Sequence, residues 1–231
     1  MPRAEASAAS AQSPVIAELL AGTPVIPVLT LEAPATAVSL ARALVEGGLV
    51  VLEITLRTDA ALDAARAIMA EVEDAVVGIG TVLTPAQMRA GRRAGARFAV
   101  SPGTSPRLLA AAAEEEMPYL PGVASASEIQ ALLERGYDQL KFFPAEALGG
   151  VAALKALAAP FRQVRFCPTG GIDAQKARDY LALEAVPAVG GSWVAPAALI
   201  AARDWGAIAS LAREAAALKL PRRRGPPRKT S

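Results

Sequence analysis

The sequence predicts an α/β protein whose parallel strands close into a single-domain (β/α)8 (TIM) barrel, with an extra N-terminal helix before the first strand. Two observations support this fold class. Short apolar runs alternate eight times with segments whose apolar residues recur at helical spacing. The distance between successive runs fits one strand, one helix and two short loops, which is typical of parallel strands joined by crossover helices. An open doubly wound sheet is the alternative, but no Gly-x-Gly-x-x-Gly turn follows the first strand.

The predicted strands are short apolar runs bounded by glycine, proline or charged residues. They are Val25–Leu29, Val50–Thr55, Ala75–Gly80, Arg97–Val100, Tyr119–Val123, Gln139–Phe143, Arg165–Pro168 and Val186–Gly190.

The predicted helices have an apolar face at a period of 3.6 residues, and several follow a capping residue, namely Thr58, Thr84, Ser105 or Ser125. They are Ala37–Val45, Asp59–Val72, Pro85–Ala94, Pro106–Glu116, Ser127–Arg135, Val151–Ala158, Asp173–Leu183 and Asp204–Leu218, with Ser13–Leu20 as the additional first helix. The expected organisation is a flexible segment at 1–12, the barrel at 13–220 and a basic tail at 221–231.

The composition excludes several kinds of chemistry. Hydrophobic residues make up 53% of the chain and aromatic residues only 4%, which indicates a large aliphatic core. The chain has no histidine and a single cysteine, Cys167, so histidine triads, histidine metal ligands, zinc sites and internal disulfides are excluded. No apolar run is long enough to cross a membrane and no signal-peptide pattern is present. A cytoplasmic enzyme is therefore expected.

The positive charge of the chain is concentrated at its C-terminal end. Residues 221–231 carry five basic side chains and no acidic one, and without them the formal net charge of +2 becomes −3. Such a proline-rich basic tail is predicted to be disordered. It could contact RNA or an anionic surface, but a solvated end is the favoured interpretation, so a nucleic-acid partner is not expected.

One lysine stands out from the other four. Lys141 lies between Leu140 and Phe142 in a predicted buried strand, whereas the others lie in helical or tail segments. Burial disfavours an ammonium ion and leaves a nucleophilic amine, which can form a Schiff base with a carbonyl substrate. The alternative is a lysine that reaches solvent or pairs with a carboxylate.

Polar residues cluster where predicted strands end, which is where barrel enzymes hold their active sites. Alternation along strand two places Glu53, Thr55 and Arg57 on one face. These side chains suit either a general base beside a carboxylate-binding arginine or a structural Glu53–Arg57 ion pair. Thr81 follows strand three and Pro102 follows strand four, and both are also compatible with ordinary turns.

The ends of strands seven and eight are rich in glycine. In phosphate-binding barrels these two loops hold the phosphate through backbone N–H groups and a helix N-terminus. Small residues lie at the ends of both strands, namely Gly170, Gly171, Gly190, Gly191 and Ser192. Together with an amine, a carboxylate and an arginine, this set suits a class I aldolase or a related Schiff-base lyase. No metal or cofactor is needed, because the iminium is the electron sink.

Six motifs, in this order, resemble the 2-keto-3-deoxy-6-phosphogluconate (KDPG) aldolase family, the lyases of the Entner–Doudoroff pathway. Some members also cleave 4-hydroxy-2-oxoglutarate (KHG). The motifs are Leu-Glu-Ile-Thr-Leu-Arg-Thr at 52–58, Gly-Ile-Gly-Thr-Val at 78–82, Ser-Pro-Gly at 101–103, Lys-Phe-Phe-Pro-Ala-Glu at 141–146, Phe-Cys-Pro-Thr-Gly-Gly-Ile at 166–172 and Gly-Gly-Ser-Trp at 190–193. The resemblance runs from about Val15 to about Leu218 and leaves out both ends of the chain.

The resemblance implies a role for each matching position. Lys141 corresponds to the Schiff-base lysine and Glu53 to the acid/base that moves protons. Arg57 and Thr81 correspond to groups that bind the pyruvyl carboxylate.

The remaining matches concern the rest of the substrate. Pro102 corresponds to a residue whose carbonyl holds a water, and Thr169 to a contact with a substrate hydroxyl. The phosphate site corresponds to Gly170, Gly171, Gly191 and Ser192. The family also implies pyruvate as a product, a homotrimer and no cofactor.

Three alternatives stay open at the level of sequence. The first is a sibling aldolase for the phosphogalactonate epimer or for KHG. The second is a sugar-phosphate epimerase or isomerase, although metal-dependent versions need histidine ligands. The third is a non-catalytic phosphate-binding barrel whose basic tail contacts nucleic acid.

Overall fold

The computed structural model describes residues 13–218 and shows an α/β fold with a curled sheet of parallel strands. The predicted flexible segment at 1–12 and the predicted basic tail at 221–231 lie outside the described residues. Within residues 13–218, no helix is both long enough and apolar enough to span a bilayer.

Nine strands are present in the described part of the chain, and every pairing between them is parallel. Six form one sheet in the order β5-β4-β3-β2-β1-β9, and three form a second sheet in the order β6-β7-β8. The bounds are β1 Val25–Leu29, β2 Val51–Thr55, β3 Val76–Gly80, β4 Phe98–Val100, β5 Tyr119–Leu120, β6 Gly122–Val123, β7 Gln139–Phe142, β8 Arg165–Pro168 and β9 Val189–Gly191.

Pro121 divides the predicted strand Tyr119–Val123 into β5 and β6. Proline has no N–H to donate, so it interrupts a ladder of backbone hydrogen bonds. The residues before it pair with β4, and those after it pair with β7. The Pro121 carbonyl still accepts a hydrogen bond from the backbone N–H of Lys141 at 2.9 Å. One extended segment therefore joins the two sheets.

The helices lie between the strands, as the alternating pattern predicts. They are α1 over 13–21, α2 Pro34–Glu46, α3 Ala61–Glu71, α4 Pro85–Ala94, α5 Pro106–Glu114, α6 Ala126–Leu133, α7 Gly150–Ala158, α8 Ala174–Leu181, α9 Ala197–Ala202 and α10 Trp205–Ala216. The short helix α9 was not predicted, because six residues are too few to show a helical period.

Side-chain caps begin several of these helices. Thr84 and Gln87 form a reciprocal capping box at α4, and Ser105 and Ser125 cap α5 and α6. The prediction that Thr58 caps the next helix was wrong. Its hydroxyl donates to the carbonyl of Leu31 at 2.6 Å, and α3 begins after Ala60 without a side-chain cap.

The buried apolar residues form two clusters. The larger one lies where the helices pack on the strands. The smaller one brings together side chains from strands that are far apart in the sheet order, along with two residues of α1. Its members are Ile16, Leu20, Ile26, Val51, Phe98, Val100, Leu120, Cys167 and Ala188. The sheet must curl for these side chains to meet, so the smaller cluster fills its concave side.

Gly47 sits where α2 packs closely against α10. A Cβ there would collide with the Cβ of Ala212 and would lie 2.7 Å from the carbonyl oxygen of Ala209. Its φ of −74° is accessible to any residue, so only the packing requires glycine. We expect Gly47→Ala to lower the free energy of unfolding by about 1–3 kcal/mol through overpacking, measured by urea denaturation.

Gly22→Ala is the matched control, because a Cβ there has Glu18 O as its nearest atom at 3.5 Å. That variant should unfold at the wild-type urea concentration. Equal midpoints for the two alanine variants would show that α2 and α10 can move apart at no cost.

Candidate active site

The centre of the candidate site is a buried ion pair between β7 and β2. Lys141 Nζ donates to Glu53 Oε1 at 3.1 Å and to Oε2 at 3.4 Å. Lys141 is 5% exposed and Glu53 is 3% exposed. In the strand register Glu53 lies beside Val28 and Gly78, and Lys141 lies beside Gly122 and Cys167. The two side chains therefore meet across the concave side of the sheet.

Of the alternatives that the sequence left open, the pairing of Lys141 with a carboxylate is formed. The structural Glu53–Arg57 ion pair is not formed, because Glu53 pairs with Lys141. A carboxylate in hydrogen-bonding contact with an amine can take its proton and release a nucleophilic amine. The Lys141 ammonium also lies 5.6 Å from the centre of the Phe143 ring, an additional favourable contact for the charged form.

Gly80 provides the space that the Glu53 carboxylate occupies. A Cβ on Gly80 would collide with Glu53 Oε1 and would lie 2.6 Å from its Cγ. A glycine at a strand end can leave room for a ligand to approach the backbone. In the described residues the room is filled by the carboxylate itself.

Thr55 and Arg57 follow Glu53 on the same strand but differ in surroundings. The Thr55 hydroxyl is buried and donates to the carbonyl of Leu29 at 3.0 Å, so it is occupied in joining β2 to β1. Arg57 is exposed, and within residues 13–218 its guanidinium forms no ion pair. Arg57 is thus available to a ligand, whereas Thr55 is not.

Thr81 has a backbone conformation that side chains disfavour. It directly follows β3 and has a φ of 56°, in the left-handed region. β-Branched residues rarely adopt this conformation, and such strain tends to persist at functional sites. The half-buried Thr81 hydroxyl belongs to the strand end next to β2, as the sequence predicted.

The loop after β4 approaches the strand that carries Lys141. A Cβ on Gly122 would collide with the Pro102 carbonyl and would lie 2.6 Å from the Ser101 carbonyl oxygen. Gly122 pairs with Lys141 in the register of β6 and β7. The Thr104 hydroxyl holds the loop by donating to the Gly122 carbonyl at 3.2 Å. Pro102 is therefore close to the lysine strand.

The two glycine-rich loops meet as predicted. Thr169, after β8, forms a parallel bridge with Gly190 in β9. Gly170 and Gly171 have φ values of 106° and 76°, which only glycine adopts without strain. Ser192, which follows Gly191 in the other loop, is exposed.

The predicted contribution of a helix N-terminus is not available at α8. The Asp173 carboxylate accepts hydrogen bonds from the backbone N–H groups of Gln175 at 3.0 Å and Lys176 at 2.9 Å. A phosphate cannot use the N–H groups that this carboxylate already occupies. A phosphate at this end would need other donors, such as the N–H groups of the glycine loops.

A group of polar side chains that the sequence did not predict lies beside Gly171. It consists of Glu146, Lys176 and Tyr180, and together with Gly171 it is called the Glu146 cluster below. Glu146 accepts from the Tyr180 hydroxyl at 2.8 Å and pairs with Lys176 at 2.9 Å. Tyr180 is 34 residues away from Glu146 in the chain, so no local pattern could indicate this contact.

Cys167 lies beside Lys141 on the neighbouring strand. It is 2% exposed, and burial raises the pKa of its thiol to about 12. A thiol held protonated in this way is a poor nucleophile. No group of three or more potential metal ligands comes together in residues 13–218.

A parallel α/β fold with a buried amine beside a carboxylate suits a Schiff-base lyase. The family model of the KDPG and KHG aldolases matches residues 16–211. The KHG/KDPG aldolase of Escherichia coli K12 is 52% identical over 197 residues, which cover 85% of this chain and 92% of that protein. The chain therefore belongs to the KDPG and KHG aldolase family.

Two crystal structures closely resemble this structure. The KDPG aldolase of Zymomonas mobilis ZM4 with 3-phosphoglycerate has a TM-score of 0.86 and 48% identity, covering 90% of this chain and 98% of that chain. The KDPG aldolase of Legionella pneumophila, with pyruvate captured at low pH as a covalent carbinolamine intermediate, has a TM-score of 0.83 and 45% identity, covering 86% and 96%.

The buried state of Cys167 predicts its reactivity. Because burial holds the pKa of this thiol far above its ordinary value, almost none of it is thiolate at about pH 8. We expect iodoacetamide to leave Cys167 unmodified in the folded protein and to alkylate it fully in guanidinium chloride, as measured by mass spectrometry. Rapid alkylation of the folded protein would show that the concave side of the sheet is open to solvent at this strand.

Proposed function

We propose that Lys141 is the Schiff-base nucleophile of an aldolase reaction in which this chain cleaves KDPG to pyruvate and D-glyceraldehyde 3-phosphate. The observation that carries the proposal is the contact of 3.1 Å between the buried Lys141 amine and the Glu53 carboxylate. The amine attacks the C2 ketone and water leaves, which gives an iminium. The iminium then accepts the electron pair of the C3–C4 bond, so no metal or cofactor is required.

Glu53 is the proposed acid/base. It takes a proton from Lys141, which frees the amine for attack, and gives that proton to the carbinolamine hydroxyl, which leaves as water. Again a carboxylate, it then takes the proton of the C4 hydroxyl as the C3–C4 bond breaks. The aldehyde leaves and an enamine stays on Lys141. Glu53 then returns a proton to C3, and hydrolysis of the resulting iminium releases pyruvate. The tight burial of Glu53 beside Gly80 keeps the carboxylate within reach of the amine throughout.

The substrate carboxylate is assigned to Arg57 and Thr81. Arg57 is exposed and free of ion pairs in the described part of the chain, and Thr81 offers a hydroxyl from the adjacent strand end. The Pro102 carbonyl, close to Gly122, is assigned to holding a water beside the lysine. Thr169 is 6% exposed and its hydroxyl donates to the Cys167 carbonyl at 3.4 Å, so its oxygen is assigned to accepting from a substrate hydroxyl.

The phosphate is assigned to the loops after β8 and β9. The supporting observation is the bridge between Thr169 and Gly190, which brings the two loops together. The proposed donors are backbone N–H groups of Gly170, Gly171, Gly191 and Ser192, together with the exposed Ser192 hydroxyl. The presence of 3-phosphoglycerate in the related Z. mobilis crystal structure supports a phosphate-bearing substrate.

The closed barrel is also part of the proposal. The pairing of β9 with β1, the Thr169–Gly190 bridge and the continuity of β5 with β6 through Pro121 all support a full circle of strands. The additional helix at the N-terminal end, α1, contributes Ile16 and Leu20 to the concave side of that circle. A homotrimer and a cytoplasmic location are proposed from the family resemblance.

The names of the relatives favour KDPG over the sibling substrate. The E. coli relative is named for KHG and KDPG together, so cleavage of KHG is proposed as a second activity. A non-catalytic phosphate-binding barrel is disfavoured, because such a protein has no use for a buried amine paired with a carboxylate.

Trapping with borohydride tests the nucleophile. We expect a reduced pyruvyl adduct on Lys141 when pyruvate and borohydride are added, located by peptide mapping with mass spectrometry. Lys141→Ala should lose the adduct and all cleavage of KDPG, while Lys155→Ala, at an exposed position of α7, should keep both.

Circular dichroism of Lys141→Ala is needed alongside, because a buried carboxylate without its partner can destabilise a protein by about 3–5 kcal/mol. An adduct on another lysine, or none on the folded wild-type protein, would reject the proposed nucleophile.

Replacing the carboxylate tests the acid/base. Glu53→Gln should still form the imine with pyruvate, because Lys141 is intact, but more slowly, because the base that frees its amine is lost. It should exchange the methyl protons of pyruvate with D2O at least about 100-fold more slowly, because proton transfer at C3 lacks its base. NMR of the methyl signal measures this rate. Exchange at the wild-type rate would assign the proton transfer to another group.

A further inference from the structure

The Glu146 cluster holds the loop that is assigned to the phosphate. Both carboxylate oxygens of Glu146 are engaged, Oε1 by the Tyr180 hydroxyl at 2.8 Å and Oε2 by the Lys176 ammonium at 2.9 Å. The same ammonium donates to the carbonyl of Gly171 at 3.1 Å. Glu146 and Gly171 are therefore connected through one lysine.

The backbone of the same turn contacts the loop at the two preceding residues. The Ala145 N–H donates to the Thr169 carbonyl at 2.8 Å, and the Glu146 N–H donates to the Gly170 carbonyl at 3.1 Å. A Cβ on Gly171 would lie 2.9 Å from the Glu146 Cβ, so the two segments are as close as a glycine permits. Three successive carbonyls of the loop are thus fixed by the turn after β7 or by its ion pair.

Fixing the carbonyls determines where the N–H groups of the loop point. Each peptide plane carries its N–H opposite its carbonyl, so a held carbonyl orients the donor of the next residue. This matters here because Asp173 already occupies the N-terminal N–H groups of α8. A phosphate at this loop depends on the conformation of Gly170 and Gly171, which have the largest conformational freedom of any residue type.

Charge supports the same arrangement. The pKa of Glu146 is lowered by its bonds to Lys176 and Tyr180, and the pKa of Lys176 is raised by its bond to Glu146. Both groups are therefore charged at neutral pH. The pair is partly exposed, and such pairs contribute little to overall stability. Its effect is expected on local geometry rather than on folding.

We propose that Glu146, supported by Lys176 and Tyr180, is a positioning residue that holds the Gly170–Gly171 loop in the conformation that binds the substrate phosphate. The inference rests on the proposed function. It assigns Glu146 to the affinity for the phosphate-bearing part of the substrate and not to imine chemistry. The turn that carries Glu146 begins directly after the lysine strand β7, so one segment links the two halves of the site.

The test separates the phosphate from the chemistry with two measurements on each variant. The first is the KM for KDPG cleavage, which depends on the phosphate. The second is the rate of pyruvate methyl-proton exchange, which involves no phosphate.

Glu146→Gln should raise the KM about tenfold, because the ion pair that fixes the loop is lost. Tyr180→Phe, which removes one hydrogen bond without altering charge, should raise it about threefold. Pyruvate exchange should stay within about twofold of wild type in both variants, since Lys141 and Glu53 are unaltered.

The matched control is Glu71→Gln, which removes a surface glutamate of α3 that pairs with Arg42 of α2 at 3.1 Å. It should change neither quantity. If Glu146→Gln raised the KM and slowed the exchange by the same factor, the role of Glu146 would be merely structural and the inference would be overturned. An unchanged or lower KM would also overturn it. If Glu146→Gln does not fold, the KM of Tyr180→Phe decides by the same criteria. A wild-type protein without exchange would instead reject the proposed function, and the inference with it.

Discussion

The contact between Lys141 and Glu53 is the constraint on which the rest of the site depends. Their side chains are 6% and 4% exposed, and removing either charge from water costs several kcal/mol unless it is paired. The two residues lie on β2 and β7, which belong to different sheets in the described pairing. They can meet only if the strands curl toward each other. The curl and the ion pair therefore require one another, and a flat sheet would leave two unpaired buried charges.

Glycines leave space inside the curled sheet for side chains and loops of neighbouring segments. Gly80 leaves room for the Glu53 carboxylate, Gly78 for the ring of Phe98, and Gly122 for the loop of Pro102. In each case an added Cβ would collide with the neighbouring group, which would have to move. The Glu53 carboxylate can occupy its position because Gly80, on the adjacent strand, has no side chain. Such positions tolerate little substitution, because well-packed interiors cannot absorb an added methyl group without strain.

Local patterns predicted most of the fold. Strands β1 and β8 and helix α4 have the predicted bounds, because alternation, glycine and capping signals act within a few residues. The meeting of Lys141 and Glu53 also followed from local reasoning, since strand ends converge in a curled parallel sheet. The failures involve distant partners. Thr58 binds the Leu31 carbonyl instead of capping, and the contacts of Glu146 with Tyr180 join segments that no periodicity relates. Asp173 could have been recognised as the cap of α8, which would have removed that helix end from the phosphate site.

The two halves of the site are built on different physical principles. The amine and its carboxylate are buried on strands, where packing and low exposure hold them without any further support. Gly170 and Gly171 are partly or fully exposed and have no side chains to pack, so hydrogen bonds at the carbonyls of residues 169–171 help to set their conformation. A lyase that releases a phosphorylated aldehyde while keeping the enamine benefits from this division. In the proposed mechanism, the covalent end of the substrate would stay on the strands, and the phosphate end would be released from a loop held by the partly exposed Glu146–Lys176 ion pair. Under that proposal, residues such as Lys176 would change the affinity for the phosphate without disturbing the chemistry at Lys141.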